Sequence, residues 1–247
     1  MTSTGKVTLF DLNSRPPRKT WSPNPWKTRL ILNYKGIDYE TEFLEYPEVK
    51  PRLEAHLPPG NDPHYPAPTY TIPTVKFPDG TYLMDSRVIA TELEKRYPSR
   101  SLHLDSPYLP RLEALVSVLM SALCPVFIPT VPQAFLNDVS REYWERTRSA
   151  MFGMPCAELG RTKGGDAMWA AVAPDMQKVT ALLQETDGVF FAGGEPGYAD
   201  FVWVAFLLFF KGMGDDIWRN LMKAAGDEEP HLKLLEACKE WTARDDY

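Results

Sequence analysis

Apolar positions along the chain change their spacing once, near residue 100. Before that point short strand-like runs alternate with helical stripes, and after it no convincing alternating run occurs and the helical period dominates. Residues 6–12 form a strand-like run that ends in the turn-rich Asn13-Ser14-Arg15-Pro16-Pro17. From Pro25 onward Trp26, Leu30, Ile31, Tyr34 and Ile37 recur at helical spacing, and Gly36 is placed to stop that helix. Residues 39–46 read as a second strand, which gives a βαβ unit with parallel strands. Residues 47–70 carry seven prolines and predict a mostly irregular connection with a short helix around 49–57. Residues 71–77 and 81–84, joined by Pro78-Asp79-Gly80, predict a hairpin. Asp85-Ser86 then opens a helix carrying Val88, Ile89, Leu93 and Tyr97, with Ser86 suited to be its N-cap. The order is βαβ, a variable helix, then ββα: a small mixed sheet with helices against it.

Beyond a linker at 99–110, helices are predicted over 108–123, 139–151, 174–184, 198–211, 216–225 and 229–243. Residues 124–130 are apolar but broken by Pro125 and Pro129, so a kink or an end is expected there, and 152–166 reads as a loop. The stripe at 198–211 is apolar on all sides and is expected to be the buried centre of this half. The pattern therefore predicts an α+β chain: a mixed α/β domain at 1–98 followed by an all-α domain at 108–247.

Composition agrees with two packed domains. The chain has 247 residues, 44% of them hydrophobic and 24% charged, which excludes a disordered chain. Its net charge of −6 lies almost wholly after residue 98, which argues against a nucleic-acid or anionic-membrane surface. Arg15, Arg18, Lys19, Lys27 and Arg29, however, occur with no acid between Asp11 and Asp38; they form either a solvated face or a place for a small anion. Cys124, Cys156 and Cys238 are widely spaced and outside any CxxC pattern, so neither disulfides nor zinc are expected. The four His have no metal spacing, and no nucleophile triad is recognisable. The start of the chain lacks an apolar signal region, and the longest apolar run, 201–210, is half a membrane span, so a cytoplasmic protein is expected.

Four features carry the candidate chemistry. Ser22 precedes the helix after the first strand, where the helix dipole favours an anion; its hydroxyl either caps the helix or donates to a thiolate. Ile72-Pro73 opens a strand as an ordinary edge proline, or as a cis proline that leaves backbone groups open to an extended peptide. At the next strand-to-helix junction Asp85 and Ser86 either cap a helix or take an ammonium and a carboxylate. In the run from Phe190 to Phe201, Asp200 falls at the third helical position and reads as a cap with a folding role. Tyr108, Met120, Phe127, Trp144 and Met151 either line an apolar site or pack the core.

The ordered set resembles the glutathione transferase superfamily: Ser22-Pro23 with Lys27, Ile72-Pro73, Asp85-Ser86, and Gly193-Gly194 leading to Tyr198-Ala199-Asp200-Phe201. The fuller strings 21–29, 32–37 and 45–49 resemble its fungal, serine-type class related to bacterial β-etherases. This resemblance implies a thioredoxin-like first domain that binds glutathione as co-substrate and a helical second domain that shapes a pocket for a hydrophobic small molecule. It implies that Ser22 faces the glutathione sulfur, with Asn24 as an alternative on the same turn. The Ile72 backbone beside a cis Pro73 would pair with the cysteinyl unit, and Asp85 and Ser86 would hold the γ-glutamyl end. Lys50 or a basic residue of 15–19 is the candidate for the glycine carboxylate. The implied activity is conjugation or ether cleavage, in detoxification or secondary metabolism, by a chain that can form a homodimer. Its rival is a carrier of hydrophobic metabolites without turnover. Ser22 stands where a thiol-disulfide reductase requires Cys.

Overall fold

In the computed structural model, which describes residues 5–17, 19–60 and 69–246, the first half is built on a four-stranded sheet. Strand β1 (Val7–Leu12) leads through a loop to α1 (Pro23–Lys35), and β2 (Tyr39–Leu44) follows, then α2 (Tyr46–Leu53). The hairpin β3 (Thr74–Lys76) and β4 (Tyr82–Met84) then passes into α3 (Ser86–Arg96). The sheet order is β2-β1-β3-β4, with β1 parallel to β2 and antiparallel to β3; the parallel first pair and the β3–β4 hairpin are those the sequence pattern predicts. Gly36 ends α1 in the left-handed region at φ 66°, which glycine adopts without a Cβ penalty. Of the proline-rich connection, residues 61–68 lie outside the described residues; so does Arg18 of the basic stretch.

The second half is all helical: α4 (Tyr108–Ala122), α5 (Cys124–Ala134), α6 (Asp138–Phe152), α7 (Cys156–Lys163), α8 (Asp166–Leu183), α9 (Tyr198–Lys211), α10 (Asp215–Ala225), α11 (Glu229–Ala237) and α12 (Lys239–Thr242). All of α9 except Leu208 and Lys211 is buried, and it packs against α1, which joins the two halves. The chain thus has a thioredoxin-like domain followed by a helical one.

The kink expected at 124–130 is present as a 75° bend between α4 and α5, with Pro125 in the first turn of α5, whereas Pro129 and Pro132 lie inside α5 without ending it. Pro132 has no N–H for the Ile128 carbonyl, and Trp144 Nε1 donates to that oxygen instead, at 2.9 Å. Pro129 likewise frees the Pro125 carbonyl, and Gly160 closes on it so tightly that a Cβ there would lie 3.2 Å from the oxygen and 2.9 Å from Pro129 Cγ. Two other local expectations, at α7 and α8, are corrected. The same Gly160 makes α7 read as a loop in the sequence, although Cys156 and Leu159 anchor it as a helix. Finally, α8 begins at Asp166 and runs through Pro174, held by packing against α4 and α10.

Beneath α9 lies a buried polar chain. Trp203 Nε1 donates to His231 Nδ1 at 2.9 Å, His231 Nε2 lies 2.9 Å from Thr180 Oγ1, and that hydroxyl donates to the Ala225 carbonyl at 2.9 Å. Only the neutral ring, with its proton on Nε2, satisfies all three bonds. Burial lowers the His231 pKa to about 4 from 6.5, against an opposing pull from Asp227. The unfolded chain therefore takes up this proton first as pH falls: the stabilising contribution is complete above pH 6.5 and is lost on the way to pH 4. Asp200, raised by burial to about 6, titrates in the same window with the opposite sign. The His231 contribution is therefore read as a difference. Between pH 7 and about pH 4.5, denaturant unfolding should show the wild type losing about 2–3 kcal/mol more than His231→Gln. Equal pH slopes for the two proteins would refute the assignment.

Candidate functional site

Sheet register brings three of the junctions singled out in the sequence to one end. Thr74 pairs with Phe10 of β1 on one side and with Met84 of β4 on the other. The residues next in line, Asp11-Leu12, Ile72-Pro73 and Asp85-Ser86, therefore lie at the same end of the sheet, and the loop after Leu12 returns to start α1 with Ser22. The arrangement follows from topology and register.

Ser22 occupies the N-cap position of α1 with φ −73° and ψ 138°, and is 9% exposed. A serine there normally accepts from the N–H of the second or third helical residue. In this helix the first and third residues are Pro23 and Pro25, which have no N–H, and the Ser22 side chain makes no cap bond. Its hydroxyl has no hydrogen-bond partner among the described residues, which leaves it able to donate to a ligand. The same prolines remove two donors that a helix N-terminus would offer an anion, so the helix contributes mainly its dipole. Asn24, on the same turn, is exposed, and its Oδ1 accepts from Lys27 Nζ at 2.9 Å. Burial lowers the Lys27 pKa, opposed by Glu113 and Asp85, so its ammonium lies in the field of the third junction.

The Ile72–Pro73 bond is cis. The Ile72 N–H and C=O lie just outside the β3 ladder and make no hydrogen bond among the described residues, while Thr71 on its other side is engaged: its carbonyl accepts from Thr74 Oγ1 at 2.9 Å. One donor and one acceptor are thus left for an extended chain to pair with. At the third junction Asp85, not Ser86, is the N-cap of α3: its Oδ1 accepts from Arg87 N at 2.8 Å and Val88 N at 3.0 Å. Asp85 adopts φ 76°, a conformation that costs a non-glycine residue about 1–3 kcal/mol and that clusters at ligand sites. Its Oδ2 accepts none of the hydrogen bonds among the described residues, so capping engages one oxygen of the carboxylate and leaves the other uncommitted. Ser86 is the first residue of α3 and lies beside the Tyr198 hydroxyl, whose pKa burial raises while Ser86 opposes the rise.

Lys50 is exposed on α2, and no hydrogen bond or ion pair joins it to these residues. The basic stretch does not form one patch: Arg29 is fully buried, Lys19 pairs with Asp245, Lys27 faces Asn24 and Arg15 is exposed. The five apolar residues proposed for a second site also separate. Trp144 is core, Met151 is 44% exposed, and Phe127 packs edge-on against Phe209 and Phe210. An aromatic cluster is built instead on Trp21, which precedes Ser22 in the chain: Trp21 stacks on Phe135 at 5.0 Å and leans on Phe209 at 6.2 Å.

Behind Ser22 is a buried ion pair. Arg29 Nη2 lies 3.1 Å from Asp11 Oδ2, both side chains being wholly inaccessible, and the carboxylate also accepts from Thr20 Oγ1 at 2.7 Å and Leu12 N at 2.7 Å. Burial raises the Asp11 pKa, opposed by Arg29, Thr20 and the Leu12 amide. Asp11, set among the apolar residues of 7–12, and Arg29, set against those of 30–32, are the sequence signal that would have found this pair. At the far side, Asp200 accepts from Gly197 N at 2.7 Å and Phe191 N at 2.9 Å, the folding role predicted for it. Gly197 supplies no side chain to a capping box, because a Cβ there would lie 3.2 Å from the Leu102 carbonyl.

Comparison with known proteins accounts for both halves. Residues 21–96 match the family model for the glutathione S-transferase N-terminal domain, and 112–241 match one for its C-terminal domain. A glutathione S-transferase-like protein, ustS, of Aspergillus flavus is 32% identical over 98% of this chain and 93% of its own. Among solved structures, glutathione transferase GSTFuA2 from Phanerochaete chrysosporium superposes with a TM-score of 0.85 at 25% identity, covering 98% of this chain and 100% of that one. The glutathione S-transferase CsGST63524 of Ceriporiopsis subvermispora, solved with glutathione, gives 0.82 at 26% identity with the same coverage. By sequence over nearly its whole length and by fold, this chain belongs to the glutathione S-transferase family.

Proposed function

We propose that the chain is an active glutathione transferase in which Ser22 holds the glutathione sulfur as a thiolate that attacks an electrophilic carbon or an ether in an apolar compound. The observation that carries this reading is the Ser22 hydroxyl, which its own helix leaves without a partner, at the end of the sheet where the Ile72 backbone is also unpaired. Ile72 N–H and C=O pair with the cysteinyl unit of glutathione, and Asp85 Oδ2 takes the γ-glutamyl ammonium with Ser86 on its carboxylate. In the reaction the sulfur forms a bond to carbon as the leaving group departs with the bonding pair. The Trp21, Phe135 and Phe209 cluster supports an aromatic or otherwise apolar acceptor. Free Cys124, Cys156 and Cys238 support a reducing, cytoplasmic setting, in detoxification or secondary metabolism.

A carrier that binds glutathione and a hydrophobic metabolite without turnover is favoured by one observation, the loss of two helix N–H donors to Pro23 and Pro25. Rates on a panel of electrophiles with and without glutathione separate the two: glutathione-dependent turnover of at least one supports the transferase, and tight glutathione binding with no turnover of any supports the carrier. Asp85→Ala should weaken glutathione binding by about 1.5–3 kcal/mol, the usual worth of a charge-assisted hydrogen bond, as measured by isothermal titration calorimetry. Because the capping bonds are lost too, the unfolding midpoint is followed in parallel. Unchanged affinity would remove Asp85 from the site.

A further inference from the structure

We infer that Arg244 and Asp245, in the tail beyond α12, are positioning residues for Ser22, an inference that rests on the glutathione reading above. The loop that delivers Ser22 is closed at its base, where Ser14 Oγ accepts from Lys19 N at 2.9 Å and donates to Lys19 O at 3.0 Å. Its last residues are held from outside. The Asp245 carbonyl accepts from Thr20 N at 2.7 Å, and the Asp245 carboxylate pairs with Lys19 Nζ at 3.1 Å. Arg244 lies over the Tyr39 ring, with Cζ 3.7 Å from its centroid, and donates to the Tyr39 carbonyl. Upstream the tail is fixed by Asn33, whose Nδ2 donates to the Trp241 carbonyl at 2.6 Å, and by Trp241 packing edge-on against Tyr34 and Phe201.

These bonds close a ring. From Tyr39 the hydroxyl receives Arg29 Nη1 at 3.3 Å; Arg29 pairs with Asp11; Asp11 accepts from Thr20 Oγ1; and Thr20 N returns to the tail at Asp245. Thr20, two residues before Ser22, is thus held on both its N–H and its hydroxyl, one by the tail and one by the buried pair. Asp11, Thr20, Arg29 and Tyr39 are all buried, where hydrogen bonds fix geometry more firmly than in water. A helix that begins with Pro23 and Pro25 has few spare N–H groups to receive a displaced sulfur. The aim of the Ser22 hydroxyl therefore depends on where the loop delivers it, and small misplacements at a reacting centre are costly.

The test uses the full chain, a variant ending at Ala243 and the full-length variant Arg244→Met. Hydrogen exchange of the peptide containing residues 20–22 reads the tie itself, and the pH dependence of bound glutathione thiolate and of kcat reads its consequence. Removing 244–247 should speed exchange at 20–22 about tenfold or more, leave glutathione affinity within about threefold, and cut kcat near neutral pH about tenfold, with recovery at high pH as the thiol ionises unaided. Arg244→Met should move each readout in the same direction by less, and it carries the test alone if the shortened chain loses cooperative unfolding. Unchanged exchange at 20–22, or faster exchange with an unchanged thiolate and kcat profile, would overturn the inference. A wild type that forms no thiolate would instead sink the transferase reading, while the exchange measurement still decides whether the tail holds the loop.

Discussion

Asp11→Ala is expected to lower the unfolding free energy by about 3–5 kcal/mol, because it leaves the wholly buried Arg29 guanidinium without its carboxylate. The size of the effect comes from desolvation of the remaining charge and exceeds what the pair contributes over an apolar substitute. Accordingly, the double variant Asp11→Leu with Arg29→Met should recover most of the loss, since replacing both charges by apolar groups of similar volume is often nearly neutral. Denaturant unfolding of Asp11→Leu, Arg29→Met and the double variant supplies the cycle. A loss below about 1 kcal/mol for Asp11→Ala would mean that the pair is not a structural element of the β1–α1 unit.

The second large effect is on rate. If Ser22 is the donor to the sulfur, Ser22→Ala should cut kcat near neutral pH by about 10²–10³, the usual cost of removing one donor from a developing or standing anion. Glutathione affinity should stay within a few fold, because the Ile72 backbone, Asp85 and Ser86 hold the rest of the peptide. The stability of α1 should hardly change, since the Ser22 side chain makes no cap bond in the first place. Steady-state kinetics on an electrophile that the wild type accepts, with unfolding curves for both proteins, separate a catalytic hydroxyl from a structural one. A variant that keeps its rate would transfer the role elsewhere, with Asn24 on the same turn as the first replacement to examine.

Most of the architecture was legible because each element carries its own local signal. The stripe of 198–211 is apolar on every face, Gly36 sits where α1 must turn, and the β3–β4 hairpin is marked by Pro78-Asp79-Gly80. What the sequence hid was decided by partners distant in the chain. Pro129 read as a breaker because the glycine that closes on the carbonyl it frees, Gly160, lies on α7, as the donor to the carbonyl freed by Pro132, Trp144 Nε1, lies on α6. Ser86 read as a cap because Ser and Asp compete for that role at adjacent positions, and only the φ of 76° at Asp85 shows which one takes it. Arg29 read as part of a basic surface because its neutralising partner, Asp11, lies on the preceding strand. The site residues were legible as types at junctions. That they lie at one end of the sheet is a consequence of register, and that the loop before Ser22 is tied to the tail at Arg244 and Asp245 has no sequence pattern at all.

The central claim is that the chain holds glutathione as a thiolate at Ser22, and the measurement that bears on it most directly is a pH titration of the ultraviolet thiolate absorbance of glutathione bound to the wild-type protein. An ordinary thiol titrates near pH 8.5 and is about 3% ionised at pH 7. A hydroxyl donor at a helix N-terminus should lower that value by about two units, to about three quarters ionised at neutral pH, which corresponds to about 2.7 kcal/mol of preference for the charged form. A bound thiol that titrates at the same pH as free glutathione would contradict the account.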